Sequence, residues 1–403
     1  MADFHQNGII TTLHNFRNKS KKEIEKELKF FSKKRPIQLI LPSLYSEIKR
    51  PALTRIISEL NKTNYISEII IGLDQANEKE FLEAKHFFSS LSIKHKILWN
   101  DAPNLIKLDR ELEAIGLSPK NFGKGRNVWY CMGYSIANDN AEAIAIHDCD
   151  IKTYTNEIVA KLIYPIANPK FNFEFCKGFY PRVSGDKING RVSRLLVTPL
   201  LKSLKKIIGP SDYLDFIDAF RYPLAGECSF RKRILRELRI PSDWGLEIGV
   251  LSEMYRNYRN STLCQVDIAD KYDHKHQEYS FDDREKGLSK MSIDISKTLI
   301  RKLATQGNTF SIETFRSLKA TYFRTALDFV EIYKKDCDMN SIEFDIDKEE
   351  RAVELFAENI MKAGETFLDK PLQTPLLPTW NRIESASPGF LKKLKKAADS
   401  HNI

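Results

Sequence analysis

Four apolar residues, Ala143 to Ile146, lead through His147 into Asp148, Cys149 and Asp150. Two carboxylates one residue apart at the end of a short apolar run can hold a divalent cation, and a cation held there can clamp a diphosphate. The spacing alone says little, because Asp336-Cys337-Asp338 and Asp345-Ile346-Asp347 repeat it. Context separates the copies. The first follows a run suited to a strand buried on both faces, so its acids emerge at a carboxyl end, where open α/β sheets place ligands. The later copies follow Lys334 and Lys335 or lie in acidic sequence, and they read as solvated loops or helix ends.

Three more patterns bear on chemistry. Gly123, Lys124 and Gly125 stand just before a helical stretch; the glycines allow close backbone approach and the lysine supplies positive charge beside a phosphate, although a helix-capping turn accounts for the same letters. Glu247 sits in the apolar surround of Trp244 to Gly249, downstream of Pro223 to Glu227. A buried carboxylate needs a partner, which a sugar hydroxyl or a helix N-terminus can provide. Finally, His274 and His276 follow a strand-like start at Gln265, where an imidazole can join a carboxylate around magnesium or manganese.

These residues need a sheet to bring them together. Ile37 to Leu41, Ser67 to Leu73, Lys94 to Trp99 and the run at Ala143 read as strands. Helical spacing over Arg50 to Leu60, Glu78 to Leu91 and Gly125 to Ala137 alternates with them. The alternation predicts a mostly parallel, Rossmann-like α/β sheet. No G-x-G-x-x-G opens any of the helices, which disfavours a nicotinamide or flavin site. Residues 20–32 read as an amphipathic helix, Phe171 to Tyr180 as a strand, and Ser193 to Ile208 as a helix. From about Tyr279 onward the chain reads as helical and polar, broken by Pro371 to Pro378, and as packing on the catalytic body or dimerising through it.

The 403 residues suffice for a sizeable core and suggest two domains or one domain with an appendage. Six cysteines without C-x-x-C or zinc spacing read as reduced thiols in a reducing compartment. No apolar stretch reaches membrane-span length and the first residues lack a signal-peptide plan, so a cytoplasmic protein with no membrane partner is expected. The net charge of +9 suits anionic partners. Much of the excess, as in Lys19 to Lys34 and Phe390 to Lys396, reads as solvated helix faces, and no nucleic-acid partner is expected.

Taken in order, Pro42 to Glu47, Gly123 to Gly125, Asp148 to Asp150, Gly190 to Ser193 with Pro199 to Leu201, Leu224 to Glu227, Gly245 to Gly249, and His274 resemble the glucosyl-3-phosphoglycerate synthases, over about residues 36 to 277. The set is similar also to the related mannosyl-3-phosphoglycerate synthases. The resemblance implies a GT-A glycosyltransferase fold, a homodimer, and transfer of glucose from a nucleotide sugar, UDP-glucose first, to the 2-hydroxyl of 3-phosphoglycerate with retained configuration. By the same resemblance Pro42, Leu44 and Glu47 border the nucleobase and ribose, and Lys124, Asp148 and Cys149 meet the donor. Asp150 and His274 hold Mg2+ or Mn2+, and Glu247, catalytic together with Asp150, holds glucose hydroxyls. Leu224 and Gly226 line the sugar pocket, and Gly190, Arg191, Ser193 and His276 take the acceptor.

Three departures accompany it. Gly72 to Asn77 replaces a segment resembling Asp-Ser-Gly-Ser, His276 stands where the family tends to offer Asn, and Ser193 where Thr is common. The corresponding division is an N-terminal helical extension over 1–35, a catalytic domain over 36–278 with its donor half ending near 150, and a helical extension over 279–403. A mannose donor or another anionic acceptor is the nearest alternative. A basic, non-catalytic nucleic-acid-binding or scaffold protein is a remote one.

Overall fold

The computed structural model describes residues 6, 8–14, 19–119, 123–274, 287–373 and 375–402. Ten strands and fourteen α-helices are found among them. The strands are β1 (Thr11–Leu13), β2 (Ile37–Leu44), β3 (Ile66–Asp74), β4 (His95–Trp99), β5 (Ala143–Ile146), β6 (Phe175–Phe179), β7 (Val183–Ser184), β8 (Lys187–Ile188), β9 (Cys228–Arg231) and β10 (Leu263–Asp267). Eight form one sheet in the order β1-β10-β6-β9-β5-β2-β3-β4, and β7 and β8 make a separate hairpin. Every pairing in the large sheet is parallel except those of β9, which runs antiparallel to both β5 and β6.

That one reversal matters for function. Because β9 alone runs backwards, the residues before it lie at the same edge as the carboxyl ends of β5 and β6. Leu224 to Glu227 therefore meet Asp148 at that edge, where open sheets bind ligands.

The helices of the first half are α1 (Lys21–Phe31), α2 (Pro51–Leu60), α3 (Glu78–Phe88), α4 (Pro103–Ala114), α5 (Lys124–Asn138) and α6 (Asn156–Ala167). Each of the four strands and three helices expected between residues 37 and 146 is present within a few residues of its expected bounds. Helix α4, strand β1 and strand β9 are additions. Every residue of α5 from Gly125 to Ile136 is buried, because the helix lies on β2 and β3 and is covered in turn by α14.

The second half adds α7 (Thr198–Ile208), α8 (Asp212–Asp218), α9 (Leu246–Asn257), α10 (Gly287–Ala304), α11 (Ile312–Met339), α12 (Ile346–Asp369), α13 (Trp380–Ala386) and α14 (Phe390–Ser400). The helix expected from Ser193 opens with a π-helical turn, Val192–Val197, before α7. The later Asp-x-Asp copies lie at helix ends, as expected: Asp336 and Asp338 close α11, and Asp345 caps α12 with Asp347 in its first turn.

The C-terminal helices are built into the body. Helices α10 to α12 pack on one another, with α10 on α9 and α11 on α7, whereas α14 reaches α4, α5 and β4. Trp380 stacks on Trp129 of α5 with ring centroids 4.1 Å apart. Gly133 makes this possible, since a Cβ there would lie 2.1 Å from the Trp380 ring. At the sheet edge, the side-chain amide of Asn402 accepts from the Ile97 N–H of β4 and donates to the Ile97 carbonyl, both at 2.9 Å. No helix among the described residues is long and apolar enough to cross a membrane.

Candidate active site

Strand β5 ends at Ile146, and the chain turns there to expose the acids. Burial drives the His147 pKa down to about 4, so its ring is neutral; it bridges the Asp148 carbonyl at 3.0 Å and the Tyr154 hydroxyl at 3.0 Å. This fixes the turn from behind. Cys149 faces the interior at 4% exposure, and burial pushes its thiol well above the ordinary range. The thiol is therefore inert.

Asp148, Asp150 and His274 offer ligand atoms that all lie within 4.8 Å of one another. His274 Nδ1 is 3.6 Å from Asp150 Oδ1, an oxygen that is buried and accepts no hydrogen bond among the described residues. Two carboxylates and an imidazole converging in this way are a donor set suited to Mg2+ or Mn2+. The residues fit the ion.

Lys124, the first residue of α5, joins this cluster to Glu247. Its ammonium is 2.6 Å from Asp148 Oδ1 and 3.2 Å from Glu247 Oε1. Burial works against its charge, but the two carboxylates outweigh burial and hold its pKa well above the usual value. In return, Lys124 overcomes the effect of burial on Asp148 and keeps that carboxyl below its ordinary range. Glu247 lies in the first turn of α9, with its carboxylate beside that ammonium.

The two glycines around Lys124 have a reason the sequence did not reveal. A Cβ on Gly125 would lie 1.9 Å from the Pro241 carbonyl oxygen, and one on Gly123 would lie 2.5 Å from that of Ser242. The glycines let the start of α5 press against the segment leading into α9, and this approach brings Lys124 to Glu247.

Gly226 meets the cluster from the other side, where a Cβ would sit 2.7 Å from Asp148 Oδ2. The next residue, Glu227, is fully buried and accepts hydrogen bonds from Tyr180 at 2.6 Å and Tyr272 at 2.5 Å. Burial and the nearby Asp148 charge raise its pKa against those two bonds. The two tyrosines stack at 3.7 Å, and Tyr272 is two residues from His274, so the loop at 224–227 and the histidine share one support. Beneath them the buried Lys177 ammonium donates to the Ala225 carbonyl at 2.6 Å. Glu227 was legible as part of a motif, whereas Tyr180 and Lys177 carried no sequence signal of a role.

At the carboxyl end of β2, Pro42 is half-buried, Leu44 is 37% exposed, and Glu47 is buried with its carboxylate 3.5 Å from Arg50 Nε. Leu224 is half-buried against the core. At the end of β3, Asp74 is another acid that the sequence did not single out. Burial pushes its pKa up to about 6, and Asn100 donates to it at 2.7 Å. Gln75 follows with φ of 57°.

The remaining expected residues form a second group. Gly190 has φ of 76°, and a Cβ there would touch Arg182 and the Tyr222 hydroxyl at 3.4 Å. The Tyr222 ring lies 5.1 Å from that of Tyr180, which ties this group to the floor of the first. Arg191 donates from Nε to Glu349 of α12 at 2.5 Å. The Ser193 hydroxyl is buried in the π-helical turn and makes no hydrogen bond among the described residues. His276 lies outside the described residues.

With this geometry in place, similarity to known proteins is informative. No family model matches the chain. It is 43% identical over 402 residues to the glucosyl-3-phosphoglycerate synthase of Persephonella marina, spanning 100% of this chain and 99% of the relative. The chain belongs to the glucosyl-3-phosphoglycerate synthase family. A second member, from Methanococcoides burtonii, is 37% identical over 98% of this chain and 97% of its own. Among solved structures, the glucosyl-3-phosphoglycerate synthase of Mycobacterium tuberculosis in complex with Mn2+, UDP-glucose and phosphoglyceric acid superposes with a TM-score of 0.52. The match is 20% identical and covers 74% of this chain and 89% of that one. The fold is GT-A, as the order of motifs implied.

Proposed function

We propose that the protein transfers glucose from UDP-glucose to the 2-hydroxyl of 3-phosphoglycerate, with retention and with Mg2+ or Mn2+ as cofactor, to make glucosyl-3-phosphoglycerate for compatible-solute synthesis. The observation that carries this reading is the convergence of Asp148, Asp150, His274, Lys124 and Glu247 at one sheet edge, in a chain with full-length relatives of that name. The proposed setting is the cytoplasm, and the proposed assembly is a homodimer.

A divalent ion on Asp150 and His274 would supply positive charge for the departing diphosphate. Lys124 adds a fixed ammonium beside Asp148, aimed where negative charge grows as the C1–oxygen bond breaks and its electron pair leaves with UDP. Asp148 with Cys149, and Pro42, Leu44 and Glu47 at the end of β2, border the nucleotide. Glu247, held by Lys124, accepts hydrogen bonds from glucose hydroxyls and steadies the oxocarbenium-like sugar. Leu224 and Gly226 shape the sugar pocket.

Gly190, Arg191, Ser193 and His276 take the acceptor, where a guanidinium suits its phosphate or carboxylate. The acceptor 2-hydroxyl adds to the same face from which UDP departs, and its proton passes to the leaving phosphate oxygen. Glu247 is engaged with Lys124, which favours this internal return over a glycosyl-enzyme.

The deciding experiment supplies magnesium, 3-phosphoglycerate and a panel of UDP, GDP and ADP sugars, and identifies product and anomer by NMR. An inverted product, or full turnover in EDTA, would overturn the proposal.

A further inference from the structure

Arg191 is held by a residue far away in the chain, and the way it is held suggests what the C-terminal helices contribute. Glu349, in the first turns of α12, is 2% exposed and lies between two guanidinium groups. One carboxylate oxygen accepts from Arg191 Nε at 2.5 Å, and the other from Arg194 Nη2 at 2.8 Å.

Arg194 is itself fixed twice more. Its Nε donates to the Asn189 carbonyl at 2.9 Å, and its guanidinium lies 4.7 Å from the centre of the Tyr333 ring of α11. Arg194 thus anchors Glu349, and Glu349 in turn holds Arg191.

A separate contact works on the same loop. The β7–β8 hairpin, which leads into Gly190, is tied to the connection between α11 and α12, because the Glu343 N–H donates to the Asp186 carbonyl at 2.9 Å. Both tethers come from residues beyond 340, and both act on the segment 186–191.

We infer that Glu349 is a positioning residue for the acceptor: it fixes the plane of the Arg191 guanidinium, and α11 and α12 thereby complete the acceptor site. This rests on the reading of Arg191 as an acceptor residue. The contact is made through Nε, so it sets the direction in which the Nη1–Nη2 edge faces, and that edge is the one that grips a phosphate or carboxylate through two parallel bonds. Without the Glu349 charge, two neighbouring guanidinium groups repel, and Arg191, with 23% side-chain exposure against 8% for Arg194, has more room to shift. A purely structural ion pair would affect stability and both substrates together, whereas a positioning contact affects the acceptor alone.

The test uses full-length wild type, Glu349→Gln, Glu349→Asp and Arg191→Ala, with each substrate varied while the other is saturating and the melting temperature recorded alongside. Glu349→Gln is expected to raise the KM for 3-phosphoglycerate about tenfold, the cost of a lost charge-assisted bond, with the UDP-glucose KM and kcat within about twofold of wild type. Glu349→Asp should recover part of the loss, and Arg191→Ala should raise the same KM. If Glu349→Gln fails to fold, Arg194→Lys serves instead, loosening the anchor while keeping the Arg191 contact, and should give a smaller rise in acceptor KM alone.

An unchanged acceptor KM in Glu349→Gln beside a raised one in Arg191→Ala would overturn the inference and leave the proposed function standing. The same holds if both KM values rise together as kcat and the melting temperature fall. A wild-type protein that forms no product overturns the proposed function and the inference with it.

Discussion

The proposed donor edge and the proposed acceptor loop are assembled in different ways. The donor edge is made where strands end: β5 delivers Asp148 and Asp150, the backward run of β9 delivers Gly226, and α5 and α9 deliver Lys124 and Glu247 with their first turns. The sheet itself sets these positions. The acceptor loop instead hangs from a short hairpin and a π-helical turn, and it is stiffened by Glu343, Glu349 and Tyr333 from α11, α12 and their connection. A rigid sheet edge can carry one nucleotide-sugar chemistry while a separately braced loop selects the anion that receives the sugar.

Substitutions can break that contrast at several strengths. Asp150→Ala and His274→Ala should have the largest effect, a loss of roughly 10²–10³-fold in kcat/KM with the fold intact, because each removes charge or a ligand at the metal position. Circular dichroism would check the fold, and manganese titration followed by electron paramagnetic resonance should report weakened ion binding in the same variants. Activity unchanged in either variant would sink the assignment of Asp150 and His274.

Next comes a change of stability. Trp380→Ala empties the stack on Trp129 and should cost about 3–5 kcal/mol in denaturant unfolding, typical of a large buried aromatic. Its effect on the acceptor KM should be small, since this contact braces α5 rather than the loop at 190. A rise in acceptor KM as large as that of Arg191→Ala would show that the two regions are not separately braced.

Gly226→Ala is a finer probe of the donor edge. Its new methyl would displace the Asp148 carboxylate, which Lys124 holds, so the UDP-glucose KM should rise roughly tenfold while the acceptor KM stays put. Equal effects on both substrates would mean that the loop at 226 serves the acceptor too.

The smallest effect depends on pH. Burial, and then the charge of Asp294, raise the Asp243 pKa to about 6 from an ordinary 3.8, against the pull of Lys297 and Arg301. A raised carboxyl favours the folded state only while protonated, so its contribution is complete below the unfolded value and is lost as pH rises through 6. Asp243→Asn, which can still accept from Gly245 N–H, should match wild type near pH 4 and be more stable by about 3 kcal/mol above pH 7. A difference constant with pH would show that Asp243 does not carry the titration.

Legibility in the sequence followed the same divide. The strands and helices from 37 to 146 could be read because Ile37 to Leu41 and Ala143 to Ile146 are uninterrupted apolar runs and the helices between them repeat at 3.6 residues. Strand β9 could not, since Cys228, Ser229, Phe230 and Arg231 offer neither a run nor a regular alternation. Helix α4 carries Leu105, Leu108 and Leu112 at helical spacing, so its signal is present in the sequence. Glu349 sits in the acidic stretch Asp345 to Glu350, which reads locally as a solvated helix start; only tertiary packing makes that one carboxylate the partner of Arg191 and Arg194. The motifs named the residues proposed to touch ligands, whereas Tyr180 and Tyr272, which hold Glu227, and Glu349, which holds Arg191, act through side chains distant in sequence.

The amide of Asn402 on Ile97 has a consequence of another kind. Strand β4 is the open margin of the eight-stranded sheet, and the backbone groups of such a margin are a template on which a foreign strand can grow. A single side chain that both donates and accepts fills that template at mid-strand. Chains clipped before this residue should therefore reveal the loss through slow self-association at high concentration, before any change in catalysis or melting.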